Sequence, residues 1–160
     1  MIKNNTVSFI MPALNEEFNI KNAIENTINA MKIFDIKGEI IVVNDGSTDN
    51  TAKVVQECTK KYDNIVLVNN PKNGGMGYSF WTGVKHAKMD FVTVNPGDNE
   101  NDPKEALNYL GLMDEVDIII PFIYNLEVRS KFRRLLSSIF RLITNISFGT
   151  NLNYTNGTVL

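Results

Sequence analysis

The sequence has little cysteine or histidine: Cys58 and His86 are each the only residue of their kind among 160. A single cysteine excludes an internal disulfide framework. One cysteine and one histidine are also too few for a Cys/His zinc site, so any metal would need oxygen ligands. Nothing in the sequence around His86 marks it as the base of a serine or cysteine nucleophile, and we interpret it as a structural side chain.

The chain also lacks long apolar runs and an excess of charge of one sign. Of its residues 43% are hydrophobic, and 16 basic against 18 acidic side chains give a net charge of −2. No run approaches the roughly 18 apolar residues of a membrane-spanning helix. The polar first residues, Met1–Thr6, predict no signal peptide. The near-neutral balance argues against nucleic-acid binding, which favours a strongly basic surface.

The small net charge conceals one basic segment. Residues 128–149 carry five basic and no acidic side chains, against 11 basic and 18 acidic in the remainder, and four of the five are arginines. Within Lys131–Phe148 apolar residues recur every three or four positions, which predicts an amphipathic helix. Two interpretations stay open: the helix packs on the domain with its arginines in solvent, or it lies on an anionic membrane and its arginines bind a phosphate.

Short apolar runs alternate with stretches of helical periodicity along most of the chain. The runs predict buried strands at Thr6–Met11, Glu39–Asn44, Ile65–Asn69, Phe91–Asn95 and Asp117–Pro121. The stretches predict helices at Ile20–Ile33, Thr51–Tyr62, Tyr78–Ala87 and Lys104–Met113. This alternation is typical of an α/β layered domain with a mostly parallel sheet. Ligands of such sheets bind beyond the carboxyl ends of the strands, so the residues after each run are the candidate site.

Three of these strand exits are acidic loops, at residues 12–17, 45–49 and 96–100. After the second strand, Gly46 permits a tight turn, and Ser47, Thr48 or Asp49 can cap the next helix. Asp45 at the strand tip either belongs only to that turn or accepts hydrogen bonds from a nucleotide base or ribose.

Asp98 and Glu100 lie two residues apart after the fourth strand. Carboxylates so placed suit a divalent cation bound together with substrate phosphates. The alternative is a solvated acidic turn before a helix opened by Pro103 and capped by Asp102. The glycines of Asn73–Gly77 do not form a dinucleotide fingerprint, because the third glycine is missing, but they let backbone approach a ligand closely.

The order of these motifs resembles that of the family-2 glycosyltransferases of GT-A type, and within them the polyprenyl-phosphate branch that includes dolichol-phosphate mannosyltransferase. Pro12–Glu16 matches the family's Pro-x-x-Asn-Glu, and Asn44–Thr51 its Asp-Asp-Gly-Ser-x-Asp-x-Thr. Three further motifs match. The family's Asn-x-Gly-x-Gly, followed by Gly and Ala, falls on Asn73, Gly75, Gly77, Gly83 and Ala87. Its Asp-x-Asp with a later Pro ends at Asp98 and is followed by Pro103, and its Arg-x-x-x-Ser falls on Arg133 and Ser137.

This resemblance implies a Rossmann-like three-layer GT-A domain with a mostly parallel sheet. It implies an inverting sugar transfer from a UDP- or GDP-sugar to a polyprenyl-phosphate lipid, assisted by Mg²⁺ or Mn²⁺, by a peripheral protein at the cytoplasmic face of a membrane. The resemblance implies that base and ribose contact Pro12, Leu14, Glu16 and Asp45, and that the backbone approaches the donor closely at Gly75 and Gly77. It implies that Asp98 and Glu100 bind the metal and that Arg133 binds a phosphate. Asp98 and Arg133 are the implied catalytic residues.

The sequence also departs from the family pattern. Asn44, Pro96 and Asn153 stand where the family has acidic residues, and Pro96 leaves the metal site one carboxylate short. We expect a nucleotide-sugar-binding core at residues 1–127 and, at 128–160, the basic helix with the start of an acceptor-side region that continues in the family. The alternatives are transfer to a sugar hydroxyl in polysaccharide assembly and a non-catalytic binding module. A nucleotidyltransferase is disfavoured, because it would need a basic, glycine-rich loop after the first strand and Pro12–Glu16 is not such a loop.

Overall fold

The computed structural model describes residues 6–112, 115–119 and 130–152. The strands are β1 (Thr6–Ala13), β2 (Lys37–Asn44), β3 (Ile65–Asn69) and β4 (Phe91–Val94). The helices are α1 (Ile20–Ile33), α2 (Thr51–Lys61), α3 (Met76–Val84), α4 (Pro103–Leu107) and α5 (Lys131–Phe148), with a 3₁₀ turn at Leu110–Leu112. Among the described residues, none of these helices has the length and apolar character needed to cross a membrane.

The described strands form one parallel sheet in the order β3-β2-β1-β4. The chain steps outward from β1 to β3 and then returns through α3 to place β4 on the other side of β1. The direction of the crossovers therefore reverses at β1, which makes the carboxyl end of β1 the switch point where ligands of open α/β sheets bind.

Helices cover both faces of this sheet. A Cβ on Gly83 of α3 would lie 3.3 Å from Val43 Cγ2, whereas a Cβ on Gly38 would lie 2.8 Å from Met31 Sδ of α1. Side chains five residues apart on β2 point to opposite faces, so α1 and α3 lie on opposite sides of the sheet. The α/β three-layer prediction is confirmed.

The core sits where β1 and β2 are covered on both faces. Phe9, Ile10, Met11 and residues 40–43 are fully buried, together with Ile20 and Ile24 of α1. The prediction of buried strands is wrong in part for β3 and β4, where only Ile65 and Thr93 are buried. These are the outer strands of the described sheet, so one edge of each is not covered by a neighbouring strand.

The bounds of several predicted elements differ from the structure by one or two residues, and three elements differ more. Helix α3 covers Met76–Val84 instead of Tyr78–Ala87. The helix predicted at Lys104–Met113 is divided into α4 and the 3₁₀ turn, because Asn108 and Gly111 are poor helix formers. In the strand predicted at Asp117–Pro121, residues 117–119 are not extended into a strand, and residues 120–121 lie outside the described residues.

The chain divides into two compact units, one up to Asp117 and one from Ile118 to Val159. The predicted boundary between residues 127 and 128 lies outside the described residues and stays a prediction. Everything described next, except α5, belongs to the first unit.

Gly83 allows α3 to approach the sheet closely. A Cβ there would overlap Ile10 Cγ2, whereas a Cβ on Gly77, in the same helix, would meet nothing within 4 Å. We expect Gly83→Ala to lower the free energy of unfolding by about 1–3 kcal/mol through overpacking. Gly77→Ala should instead raise it by about 0.5–1 kcal/mol, because alanine favours the helix. Urea unfolding measures both; equal shifts of the same sign would contradict this packing.

Candidate functional site

A cleft of about 290 Å³ opens at the carboxyl ends of β1, β2 and β4. It is lined by residues from the three strand exits, the glycine loop and the start of α3: Pro12, Ala13, Leu14, Glu16, Asp45, Asn73, Gly75, Met76, Ser79, Pro96 and Asp98. The structure thus brings most of the predicted site residues together at the switch point of the sheet. A cleft of this kind, with a few polar groups converging on it, is the usual setting of a small-molecule site.

The loops after β1 and β2 are joined by reciprocal hydrogen bonds. Asn15 has a left-handed backbone, with φ of 56°. Its N–H donates to Ser47 Oγ over 3.0 Å, and its Oδ1 accepts from the Thr48 N–H at 2.8 Å. Asparagine is among the few non-glycine residues that tolerate this conformation. Asn15 therefore belongs to the scaffold of the site.

A second set of hydrogen bonds joins the same two loops two residues farther on. Glu17 Oε2 accepts from the N–H and Nδ2 of Asn50, at 3.0 and 2.7 Å. In return, the Glu17 N–H donates to Asp49 Oδ2 over 3.1 Å. Asp49 also accepts from the Thr51 N–H at 2.9 Å. The N-cap of α2 is Asn50, not Ser47, Thr48 or Asp49 as predicted, and its own side chain makes no capping hydrogen bond. Hydrogen bonds hold the pKa of the Asp49 carboxyl below its ordinary value, although burial acts to raise it.

Asp45 is almost completely buried, with 4% of its surface exposed. Its carboxylate accepts from Asn70 Nδ2 at 2.7 Å, from the Gly75 N–H at 2.8 Å and from the Gly74 N–H at 3.0 Å. Burial acts to raise the pKa of the Asp45 carboxyl, but hydrogen bonds from the Asn70 amide, the Ser79 hydroxyl and the glycine N–H groups outweigh burial and lower that pKa. The carboxylate therefore stays ionised and anchors the glycine loop.

The glycine loop is shaped to sit on Asp45 and Gly46. Gly46 has a φ of +73°, and a Cβ on it would lie 2.7 Å from the Asn73 nitrogen. A Cβ on Gly74 would overlap the ring of Tyr78 in α3. Two motifs that are far apart in sequence thus fit together as one wall of the cleft.

Asp98 and Glu100 face different grooves. Asp98 borders the main cleft, whereas Glu100 borders a neighbouring groove with Asn26 and Asn29 of α1. Between them Asn99 has a φ of 61°, and its Oδ1 accepts from Asn26 Nδ2 at 2.9 Å. The Glu100 N–H donates to Asp98 Oδ1 over 3.1 Å. A left-handed turn at Asn99 thus stands between a residue of the main cleft and a residue of the neighbouring groove.

The carboxylates at this end of the cleft are too few to hold a cation by themselves, but they fit a cation that is also bound by a diphosphate. No cluster of three or more histidine, cysteine or acidic side chains able to hold a metal exists in the described part of the chain. Asp98 is the carboxylate that borders the cleft at the exit of β4, and its Oδ1 accepts from the Glu100 N–H. Magnesium commonly binds to one or two carboxylates, keeping waters and substrate phosphates as its other ligands.

The other predicted residues are less closely tied to the cleft. Gly77 lies in the first turn of α3 and not among the lining residues. Arg133 belongs to α5, but its side chain lies outside the described residues. Sequence reasoning missed Asn70 and Ser79, two buried polar residues behind Asp45. Asn70 follows β3 directly, so the rule that selected the other strand exits would also have selected it.

The opposite edge of the sheet carries a larger cleft of about 580 Å³. It is formed by the ends of α1 and α2 and the residues before β2 and β3: Ile28, Met31, Lys32, Asp35, Ile36, Lys61, Tyr62, Asp63 and Asn64. None of the predicted site residues borders it. Size alone therefore does not select the candidate site, which rests on the converging polar groups at the carboxyl edge.

The low pKa of Asp45 predicts a pH dependence of stability. Its ordinary pKa is 3.8, and the folded value is lower. The ionised carboxylate thus contributes stability that is complete above the unfolded pKa and is lost as the pH falls through the folded value. We expect the free energy of unfolding to fall below about pH 4 and to fall less for Asp45→Asn. Urea unfolding at pH 7 and pH 3 measures this; identical losses in both proteins would contradict it.

Known proteins are similar to this chain in sequence and in fold. A dolichyl-phosphate beta-glucosyltransferase of Trichomonas vaginalis is 42% identical over 97 residues, which cover 58% of this chain and 30% of the relative. An undecaprenyl-phosphate 4-deoxy-4-formamido-L-arabinose transferase of Proteus mirabilis is 32% identical over 114 residues, covering 71% of this chain and 35% of the relative. The chain thus spans about a third of the length of these curated relatives.

Among solved structures, a mannosyltransferase from Pyrobaculum calidifontis in complex with GDP-Man and Mn²⁺ superposes with a TM-score of 0.62 at 23% identity, covering 82% of this chain and 38% of that one. This likeness confirms the GT-A fold. The model of glycosyl transferase family 2 matches residues 8–159, nearly the whole chain. The protein therefore belongs to glycosyltransferase family 2, as the order of its motifs predicts.

Proposed function

We propose that this chain is the donor-binding part of a glycosyltransferase that moves a sugar from a nucleotide diphosphosugar to a polyprenyl-phosphate lipid. The observation that carries this proposal is the cleft that gathers Glu16, Asp45 and Asp98 at the switch point of the sheet. The curated relatives, named as dolichyl-phosphate and undecaprenyl-phosphate transferases, support the lipid acceptor. The donor-bound mannosyltransferase supports a nucleotide sugar as the donor.

The nucleotide of a UDP- or GDP-sugar lies, in this proposal, against Pro12, Leu14, Glu16 and Asp45. Leu14 is 39% exposed and offers an apolar surface to a flat base. Glu16 and Asp45 supply carboxylate acceptors for base N–H groups or ribose hydroxyls. Gly75, which has a φ of +82°, has open space where a Cβ would stand, and Gly77 is equally open. Both leave room for the diphosphate to approach the backbone.

Asp98 is the proposed metal ligand on this side of the cleft, and Glu100 the second predicted one. A bound Mg²⁺ or Mn²⁺ would neutralise the charge that develops on the departing diphosphate. Glu100 borders the neighbouring groove, so its carboxylate must turn to share a cation with Asp98. The two ligand assignments can therefore be tested separately.

The acceptor chemistry needs little from the protein beyond positioning. A phosphate monoester is already an anion near neutral pH, so its oxygen can attack the anomeric carbon without a strong general base. A single displacement at that carbon inverts its configuration. Arg133 would bind a phosphate of donor or acceptor, since guanidinium pairs with phosphate in a bidentate manner. Holding donor and acceptor in line supplies much of the remaining acceleration.

Helix α5 supports a peripheral position at the cytoplasmic face of a membrane. Its apolar positions, recurring every three or four residues, are all exposed: Phe132, Leu135, Leu136, Ile139, Phe140, Ile143 and Ile146. The helix contains four basic residues and no acidic one. Such a helix can lie in an anionic bilayer surface with its apolar face in the headgroup region.

A non-catalytic nucleotide-sugar-binding module is the second candidate. It is favoured by Pro96, which lines the cleft where the family's motif has an acidic residue. In that case the donor binds in the same cleft but no sugar is transferred. Radiolabelled sugar appearing in polyprenyl phosphate would eliminate this candidate.

Calorimetric titration with UDP-, GDP- and dTDP-sugars, each with and without Mn²⁺, tests the proposed donor site. We expect one nucleotide to bind and Mn²⁺ to increase its affinity, because the cation offsets repulsion between the diphosphate and the acidic loops. Failure of all three nucleotides to bind, at millimolar concentrations and with metal present, would overturn the proposed function.

A further inference from the structure

Asn70 lies directly behind the cleft and is one of the few buried polar residues there, with 6% of its surface exposed. It follows β3, and its N–H donates to the Asn44 carbonyl over 2.9 Å. Its side-chain nitrogen donates to Asp45 Oδ1 over 2.7 Å and to Ser79 Oγ over 3.1 Å. A single amide group thus connects the exit of β2 to the first turn of α3.

This bridge limits how the Asp45 carboxylate can turn. Its Oδ1 is engaged by Asn70, and its Oδ2 accepts from the Gly75 N–H at 2.8 Å. A carboxylate offers about four acceptor positions, so bonds from opposite sides fix the plane of the group. The Gly74 N–H, which lies 3.0 and 3.2 Å from the two oxygens, is held between them.

We infer that Asn70 is a positioning residue, which holds the Asp45 carboxylate and, through it, the glycine loop at residues 73–75. This inference rests on the proposed function only for its consequence, the affinity for the nucleotide donor. Without the Asn70 amide, Asp45 Oδ1 loses its shortest hydrogen bond in a site with almost no access to water. The carboxylate is then held mainly from the glycine side and leaves its present plane. The Gly74 N–H loses its fixed acceptor, whereas the Gly75 N–H keeps a second one, Asn73 Oδ1 at 2.9 Å.

Asn64 provides a matched control at the other end of the same strand. Its side-chain nitrogen donates to the Gly38 carbonyl over 3.0 Å. Asn64 and Asn70 stand immediately before and after β3, and each side-chain amide joins β3 to residues of β2 or its exit. Asn64→Ala and Asn70→Ala therefore delete the same chemical group, but Asn70 lies behind the candidate site, whereas Asn64 borders the larger cleft at the opposite edge of the sheet.

Residue-resolved amide hydrogen exchange on the full chain tests the inference without any ligand. We expect Asn70→Ala to increase the exchange rate of the Gly74 N–H at least tenfold, because it loses its ordered acceptor. The exchange rate of the Gly75 N–H should rise less, because Asn73 Oδ1 still accepts from it. The core amides of β1 and β2 should stay protected. Asn64→Ala should leave Gly74 and Gly75 unchanged. Unchanged exchange at both glycines in folded Asn70→Ala would overturn the inference.

Nucleotide affinity then reports the functional consequence. We expect Asn70→Ala to weaken binding of the preferred nucleotide sugar about tenfold, and Asn64→Ala to leave the affinity unchanged. Faster exchange at the glycines with unchanged affinity would overturn the claim that this positioning serves the donor. If the unmodified chain binds no nucleotide, the proposed function falls, and the exchange rates still decide the role of Asn70.

Discussion

Asp98→Ala is expected to abolish the effect of Mn²⁺ on nucleotide-sugar binding. Asp98 is the carboxylate that borders the cleft at the exit of β4, and its replacement leaves a cation with only waters and the diphosphate on that side. Removing one partner of such a charge pair costs about 2 kcal/mol or more, which is roughly 30-fold in affinity. Titration of the preferred nucleotide sugar with and without Mn²⁺ measures the change.

Glu100→Ala is the matched control for that experiment. It removes the same charge two residues away, but Glu100 borders the neighbouring groove with Asn26 and Asn29. An affinity in Mn²⁺ that falls much less than for Asp98→Ala assigns the metal to Asp98 alone. Equal losses would establish Glu100 as the second ligand that the family pattern implies. If binding is indifferent both to Mn²⁺ and to Asp98→Ala, the metal assignment is wrong.

Charge reversal in α5 is expected to remove binding to anionic membranes. The variant Arg133→Glu, Arg134→Glu, Arg141→Glu replaces three of the four basic residues of the helix. Each basic residue near an anionic bilayer contributes about 1 kcal/mol, so losing three lowers the partition coefficient by roughly 100-fold or more. Co-sedimentation with vesicles containing phosphatidylserine or phosphatidylglycerol measures this partition.

A second triple variant distinguishes the contribution of α5 to membrane binding from the effect of net charge. Lys53→Glu, Lys60→Glu, Lys85→Glu changes the charge of the protein by the same amount, and all three lysines are exposed in the first unit. We expect it to retain most of its vesicle binding, since the apolar face and arginines of α5 are intact. Equal losses in the two variants would show that overall charge, and not α5, determines membrane binding.

The sequence predicts most of the fold because the composition and periodicity of its segments agree with the places that those segments take in the sheet and the helix layers. The apolar runs of β1 and β2 are buried on both faces and are recognisable by composition alone. Those of β3 and β4 have the same composition, yet their burial depends on what stands beside the outer strands. The helix predicted at Lys104–Met113 begins as expected but ends at Leu107 for a local reason, since Asn108 and Gly111 are poor helix formers in an otherwise periodic segment.

The candidate site was predictable in position but only partly in its roles. Strand exits place Glu16, Asp45 and Asp98 at one edge, as the topology requires. The hydrogen bonds from Gly74 and Gly75 to Asp45 join residues about 30 positions apart in sequence, which no local pattern reveals. In the same way, Asp98 lines the cleft and Glu100 the neighbouring groove, with the left-handed Asn99 between them, although spacing alone would allow both to face one ligand.

Much of the family motif therefore builds the site. Asn15 and Glu17 use their polar groups to join the first two loops, and Gly46 accommodates the glycine loop. Glu16 lies between Asn15 and Glu17. Its N–H donates to Thr51 Oγ1 over 2.8 Å, and the residue lines the cleft. Substitutions at Asn15 or Glu17 are for that reason expected to affect stability more directly than specificity.

A crystal structure of the chain with its preferred nucleotide sugar and Mn²⁺ tests the central claim most directly. We expect the nucleotide in the cleft at the carboxyl edge, with the base beside Leu14 and Asp45 and the diphosphate with its metal at Asp98. A nucleotide bound instead in the larger cleft at the opposite edge, beside Lys32 and Lys61, would contradict it.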